Sequence, residues 1–149
     1  MRITEVRIKL NGQTQDRLRG FCTITFDASF VVRDIKIIDG PHGVFVAMPS
    51  RKLMDHCPKC RSKNHLRARF CNHCGTQINE NRHAASEEGR VKLHSDVAHP
   101  INAVCRAMVQ DSILKAFHEE EARSKQPGYV APRLDEFDDD YEAPAEPKT

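Results

Sequence analysis

Four cysteines near the middle of the chain form two pairs with the spacing of metal ligands. Each pair encloses two residues, and ten residues separate Cys57 and Cys60 from Cys71 and Cys74. A tetrahedral Zn²⁺ takes four thiolate sulfurs at about 2.3 Å, and two such knuckles supply them in pairs. Because four thiolates leave no open coordination position, we expect one structural zinc ion per chain. Iron in the same four-sulfur site stays open as an alternative.

The residues around these cysteines are basic. No Asp or Glu lies between Cys57 and Cys71, whereas five residues there are Lys or Arg: Lys59, Arg61, Lys63, Arg67 and Arg69. A zinc ion with four thiolates carries a net charge of −2, so some of these cations neutralise the centre. The others are available to a phosphate backbone.

Charge is distributed unevenly along the whole chain. The net charge of +2 is composed of +4 over residues 1–53, +2 over 54–89, zero over 90–123 and −4 over 124–149. A basic body with an acidic tail is typical of a protein that binds a polyanion.

The elements that must position these residues are mostly strands. Alternating apolar side chains predict strands over 6–10, 18–26, 30–38, 44–48 and 91–97. Short connections between the first four favour an antiparallel meander, because parallel neighbours need long crossovers.

A helix follows Pro100, with Asn102 as its N-terminal cap. Its apolar residues fall on one face: Cys105, Met108, Val109, Ile113, Ala116 and Phe117. We therefore predict an α+β domain, an antiparallel meander of about five strands with a C-terminal helix packed on it.

The chain divides into three parts. Residues 1–53 and 90–123 are expected to form the α+β domain, with 54–89 as a zinc-ribbon-like insertion. Residues 124–149 are rich in Pro, Ala and acids and are expected to be disordered, with a docking motif for a protein partner as the alternative.

Several classes of protein are disfavoured. The sequence has no apolar run that could span a bilayer, and its N-terminus lacks the apolar region of a secretory signal. We expect a cytoplasmic protein without membrane contacts. Neither paired carboxylates, a nucleophile with its base, nor a phosphate-binding loop is evident, so we expect no enzymatic activity.

Outside the insertion, the chain resembles the stage V sporulation protein G (SpoVG, septation regulator) family. The resemblance is carried above all by FVAMPSRK at 45–52 and DVAHPIN at 96–102. It implies a small, dimeric α+β regulator that binds nucleic acid and is linked to septation, sporulation and gene expression. It also implies that the insertion replaces a short hairpin.

The resemblance further implies nucleic-acid contacts at the basic pair after MPS and at the helix start. In this sequence those positions are Arg51, Lys52, Asn102 and Arg106. The basic insertion adds Lys63, Arg67 and Arg69 as candidates. A homodimer is expected both from the resemblance and because a small sheet with one helix leaves edges uncovered.

Two functions remain at this point. The first is a regulator that binds DNA, RNA or both, with the ribbon as an added basic finger. The second is an adaptor whose ribbon and acidic tail bind other proteins. Binding that weakens with salt separates the two, since only the first requires phosphate contacts.

Overall fold

The computed structural model describes residues 1–12, 15–79 and 92–134. The chain separates into two compact units. The first comprises Met1–Pro49 and Ala98–Thr149, and the second comprises Ser50–Val97. The second unit is thus somewhat longer than the insertion expected over 54–89.

The first unit is built on a four-stranded antiparallel sheet. Its strands are β1 (Ile3–Leu10), β2 (Leu18–Phe26), β3 (Phe30–Gly40) and β4 (Gly43–Ala47), in the order β1-β2-β3-β4. The predicted meander is therefore confirmed. Alternate residues of β2 and β3 face one side of the sheet and are buried there.

The one helix among the described residues, α1 (Ala103–Ser124), covers this side of the sheet. Asn102 is its N-terminal cap, because its side chain accepts a 2.8 Å hydrogen bond from the Cys105 N–H. The predicted apolar face is confirmed: Val109, Ile113 and Phe117 are buried against the sheet. The remaining members of that face are partly buried around the same core: Cys105, Met108 and Ala116.

The predicted fifth strand does not join this sheet. It is only three residues long, β8 (His94–Asp96), and pairs antiparallel with β5 (Ser50–Lys52) in the second unit. Pro49, which has no N–H to donate, lies between β4 and β5 and interrupts the ladder there. The sheet of the α+β domain accordingly has four strands.

The described residues 54–79 of the second unit form two hairpins. In the first, β6 (Met54–His56) pairs with β7 (Lys63–His65), and in the second a single bridge joins Phe70 to Gln77. Among the described residues of this unit, the buried apolar ones are Cys57, Cys71 and Ile78. Such a small core cannot stabilise a segment of this length by itself.

Part of the tail that is expected to be disordered contacts the helix. Residues 125–134 belong to the described part of the chain, and Tyr129 is held against the end of α1. Its hydroxyl donates to Glu120 at 2.6 Å, and its ring lies 5.5 Å from the Arg123 guanidinium carbon. These contacts stabilise the position of Tyr129 in a way that the composition of the segment does not indicate. The acid-rich remainder, 135–149, lies outside the described residues.

The described residues include no helix long and apolar enough to cross a membrane.

Candidate metal centre and the basic groove beside it

The four predicted ligands converge on one point. Sγ of Cys57 lies 3.7 Å from that of Cys74, and Sγ of Cys60 lies 3.5 Å from that of Cys71. All four sulfurs lie within 4.8 Å of one another. Four sulfurs at about 2.3 Å from a tetrahedral ion would be about 3.8 Å apart. The cluster can therefore hold one four-coordinate metal ion after small side-chain adjustments.

The two knuckles have the same backbone design. Cys57 accepts hydrogen bonds at Sγ from the N–H groups of Lys59 and Cys60, at 3.4 and 3.5 Å. Cys71 accepts them from His73 and Cys74, at 3.4 Å each. Since each N–H points its positive end at a sulfur, these hydrogen bonds favour negative charge on the sulfur that they contact.

Each knuckle ends in a left-handed residue. The Arg61 N–H donates to the Cys57 carbonyl at 3.0 Å, and the Gly75 N–H donates to the Cys71 carbonyl at 3.1 Å. Both donors have positive φ, 68° for Arg61 and 74° for Gly75. Glycine adopts this conformation without steric cost, whereas arginine does not. The metal centre thus includes one strained position, Arg61.

Asn64, which the sequence analysis did not single out, connects the two knuckles. Its side chain is 2% exposed. Its Oδ1 accepts from the Asn72 N–H at 2.8 Å, while its Nδ2 donates to the Ser62 carbonyl at 3.0 Å and lies 3.5 Å from Sγ of Cys71. The sequence carries no signal for this role, because it depends on the burial of Asn64 in the folded ribbon.

Hydrogen bonds lower the thiol pKa values of the second knuckle, Cys71 and Cys74, whereas the pKa of Cys60 is raised. The backbone N–H of Cys74 is the main reason that the pKa of Cys71 is lowered to about 5. Thr76, whose Oγ1 lies 3.1 Å from Sγ of Cys74, lowers the pKa of that thiol. By contrast, burial raises the pKa of Cys22, in the first unit, to about 12. Cys22 is therefore a buried core thiol and not a metal ligand.

The two residues of the predicted basic pair, Arg51 and Lys52, lie on opposite faces of β5. Lys52 lines an open groove of about 420 Å³ within the second unit, whereas Arg51 does not. Because side chains alternate along a strand, Arg51 lies on the other face of the β5-β8 ribbon. The two cations therefore do not form one contact.

Of the three basic candidates in the insertion, Arg67 lines the same groove as Lys52. Lys63 is exposed on β7. Arg69 is exposed as well, but its carbonyl accepts the Ile78 N–H at 2.7 Å and its side chain does not line the groove. We term the cavity lined by Lys52 and Arg67 the ribbon groove.

Asn102 and Arg106 belong to the first unit. They line a shallow depression of about 420 Å³ at the start of α1. The Oδ1 of Asn102 is engaged in capping the helix, which leaves its amide NH₂ for a ligand. The seven candidates thus fall into two sets, one in each unit.

Taken together, these features define an α+β sheet-and-helix protein with an inserted cysteine-knuckle ribbon. The sequence model of the SpoVG family matches residues 1–119. One relative, "Putative septation protein SpoVG" from Bdellovibrio bacteriovorus, is 34% identical over 147 residues, covering 95% of this chain and all of its own. Proteins of the same name from Acholeplasma laidlawii and Clostridioides difficile are each 34% identical over 119 residues. These two matches cover 80% of this chain and 87% and 89% of theirs.

The chain belongs to the SpoVG family.

Proposed function

We propose that this protein is a nucleic-acid-binding regulator connected with septation, and that one structural Zn²⁺ folds its inserted ribbon. The observation that carries the proposal is a set of exposed cations in the second unit, which also holds the four-cysteine cluster. Lys52, Lys63 and Arg67 are exposed and make no ion pair or side-chain hydrogen bond with other described residues. Cations without protein partners are available to phosphate oxygens.

Zinc is favoured by the donor set. Four cysteine sulfurs at near-tetrahedral separations suit Zn²⁺ and leave it no open position, so the ion acts on folding and not on a reaction. The N–H groups aimed at Cys57 and Cys71 compensate the negative charge of such a centre. Elemental analysis of protein purified without added metal should give one zinc per chain. Iron, or a metal content far below one per chain, would contradict this assignment.

Binding to nucleic acid is tested by its salt dependence. The logarithm of the affinity should fall linearly with the logarithm of the salt concentration, with a slope of about 0.7 per phosphate contact on a single strand and about 0.9 on a duplex. Absence of salt-dependent binding to both DNA and RNA would refute the proposal.

A second candidate function is docking to another protein through the ribbon. The exposed ring of Phe70, in the second hairpin, favours it. Under this alternative, Phe70→Ala abolishes binding of the protein partner. The native protein then shows no salt-dependent affinity for nucleic acid. In either case we propose that the protein acts by binding and not by catalysis.

A further inference from the structure

The ribbon groove has an apolar floor that phosphate binding does not require. Leu53, Leu66, Ala68 and Leu93 form it and are each half-buried. Among the described residues, none of the three leucines belongs to either buried cluster of the protein. They are therefore apolar side chains gathered around an open cavity.

The backbone explains why these residues meet. The Leu53 N–H donates to the Leu93 carbonyl at 2.8 Å, which extends the β5-β8 pairing by one residue. On the other side, the Ala68 N–H donates to the His65 carbonyl at 3.0 Å and closes a tight turn after β7. This turn places Leu66 and Arg67 at the wall of the groove. Both walls are thus fixed by main-chain hydrogen bonds.

The rim of the groove is polar and positively charged. Lys52, His65, Arg67 and His94 line it, and all four side chains are exposed. Lys52 and His94 are directly opposed in the β5-β8 register. The rim thus combines two cations with two imidazoles, which can donate or accept hydrogen bonds and can stack on a planar ring.

We propose that the ribbon groove binds an unpaired base of a single-stranded nucleic acid, with the flanking phosphates on Lys52 and Arg67. A base has two apolar faces and a polar edge, which match the leucine floor and the imidazoles. In a duplex those faces are covered by stacking, so only a single strand can present one to the floor. The volume of about 420 Å³ is in the range of sites for small ring systems.

This inference rests on the proposed nucleic-acid function and adds that the ligand is single-stranded. A competing occupant is an acidic peptide with interspersed apolar residues, the pattern of residues 134–141 of this chain. Charge alone suits both. The paired imidazoles favour the base, because a planar ring can stack on them and bond to them through its edge.

The experiment compares three ligands of equal length on the full metal-loaded chain: a single-stranded oligonucleotide, the corresponding duplex, and an abasic strand with the same phosphates. We expect the abasic strand and the duplex to bind about tenfold or more weakly than the single strand, the typical effect of losing one base contact. Leu66→Ala should remove most of this difference. The matched control Phe70→Ala, an exposed apolar residue outside the groove, should preserve it.

A second matched pair tests the phosphate contacts. Lys52→Ala should weaken binding of the single strand and lower the salt slope by about 0.7, whereas Lys115→Ala, which removes an exposed cation from α1, should change neither. Metal content and circular dichroism show whether each variant is folded.

Three results would overturn the inference. The first is equal affinity for the abasic and natural strands, and the second is preference for the duplex. The third is a peptide of residues 133–143 that occupies the groove and is not displaced by the single strand. If salt-dependent binding persists without base preference, the groove inference fails and the proposed function stands. If no nucleic acid binds, both fail.

Discussion

Asn64 is the single side chain on which the geometry of the metal centre depends most. It satisfies the Asn72 N–H and donates toward Sγ of Cys71 from a buried position. Replacing it by Asp would place a second negative charge beside a thiolate and remove a donor. We expect Asn64→Asp to lower zinc affinity by about tenfold or more, the usual effect of losing a residue that orients a metal ligand.

Competition with a chromophoric chelator measures this change. Asn72→Ala is the matched control, because that side chain is exposed and only its backbone N–H serves the centre. Equal affinities for the Asp variant and the native protein would show that Asn64 has no role in holding the ligands.

Arg61 and Gly75 allow a test of backbone strain at equivalent positions. Both have a positive φ at the end of a knuckle. Gly75→Ala should weaken zinc binding by the equivalent of about 1 kcal/mol, the cost of a side chain in the left-handed region. Arg61→Gly should bind zinc at least as tightly as the native chain, which calorimetry can establish. A marked loss in Arg61→Gly would mean that the guanidinium, and not the backbone, matters at this position.

At the scale of elements, the two units draw their stability from different sources. The sheet and α1 share a core of buried Ile, Val and Phe, whereas the ribbon buries mainly its ligand cysteines. The free energy of metal binding therefore stabilises the folded ribbon and does not contribute to the folding of the sheet and α1. Chelation should abolish amide-exchange protection in β6 and β7 and leave that of β2 and β3 unchanged. Simultaneous loss in both units would contradict separate stabilisation.

The end of α1 predicts a dependence on pH. Burial opposes ionisation of Glu120, but hydrogen bonds from Arg123 and Tyr129 outweigh it and lower the pKa of this carboxyl below its ordinary value of 4.5. A lowered folded-state pKa gives stabilisation that is present above the ordinary value and is lost as the pH falls through the lower one. The difference in melting temperature between the native protein and Glu120→Gln should therefore shrink as the pH falls below the ordinary value of 4.5. A difference that stays constant as the pH is lowered would contradict this assignment.

The sequence predicts these elements to different extents. Periodicity locates β1 to β4 and the buried face of α1, because each has a continuous apolar side. The knuckles follow from cysteine spacing alone. The pairing of β5 with β8 was not predictable, since each strand has three residues and the pairing joins segments far apart in the chain. The ordered residues after α1 depend on one tyrosine and two partners, which leave no periodic signal.

The candidate site shows the same division. The metal ligands could be read from the sequence, but the position of each cation could not. Side chains alternate along β5, and its three residues do not indicate whether Lys52 or Arg51 faces the groove. Arg67 lines the groove because the chain turns after β7. Asn64 was missed because its role depends on burial.

At the scale of the whole molecule, we expect a homodimer. Ile101 and Val104, three residues apart at the start of α1, are 89% and 82% exposed in the single chain. Apolar side chains this exposed are commonly covered by a second copy of the same chain. Light scattering should give about twice the chain mass of 17.0 kDa. Val104→Glu should reduce it to one chain, with Lys115→Glu, also on α1 and exposed, as the control for added charge. A native mass of one chain at micromolar concentrations would exclude the dimer.

The central claim is that zinc folds the second unit and thereby positions the cations that bind nucleic acid. The most direct test is the affinity of the full chain for one labelled single-stranded oligonucleotide, measured from about 50 to 200 mM salt with zinc bound and after zinc removal. We predict a steep linear salt dependence for the zinc-bound protein. Removal of zinc should weaken binding and flatten the slope, because Arg67 and the wall of the groove lose their positions. Identical affinities and slopes in the two states would contradict the claim.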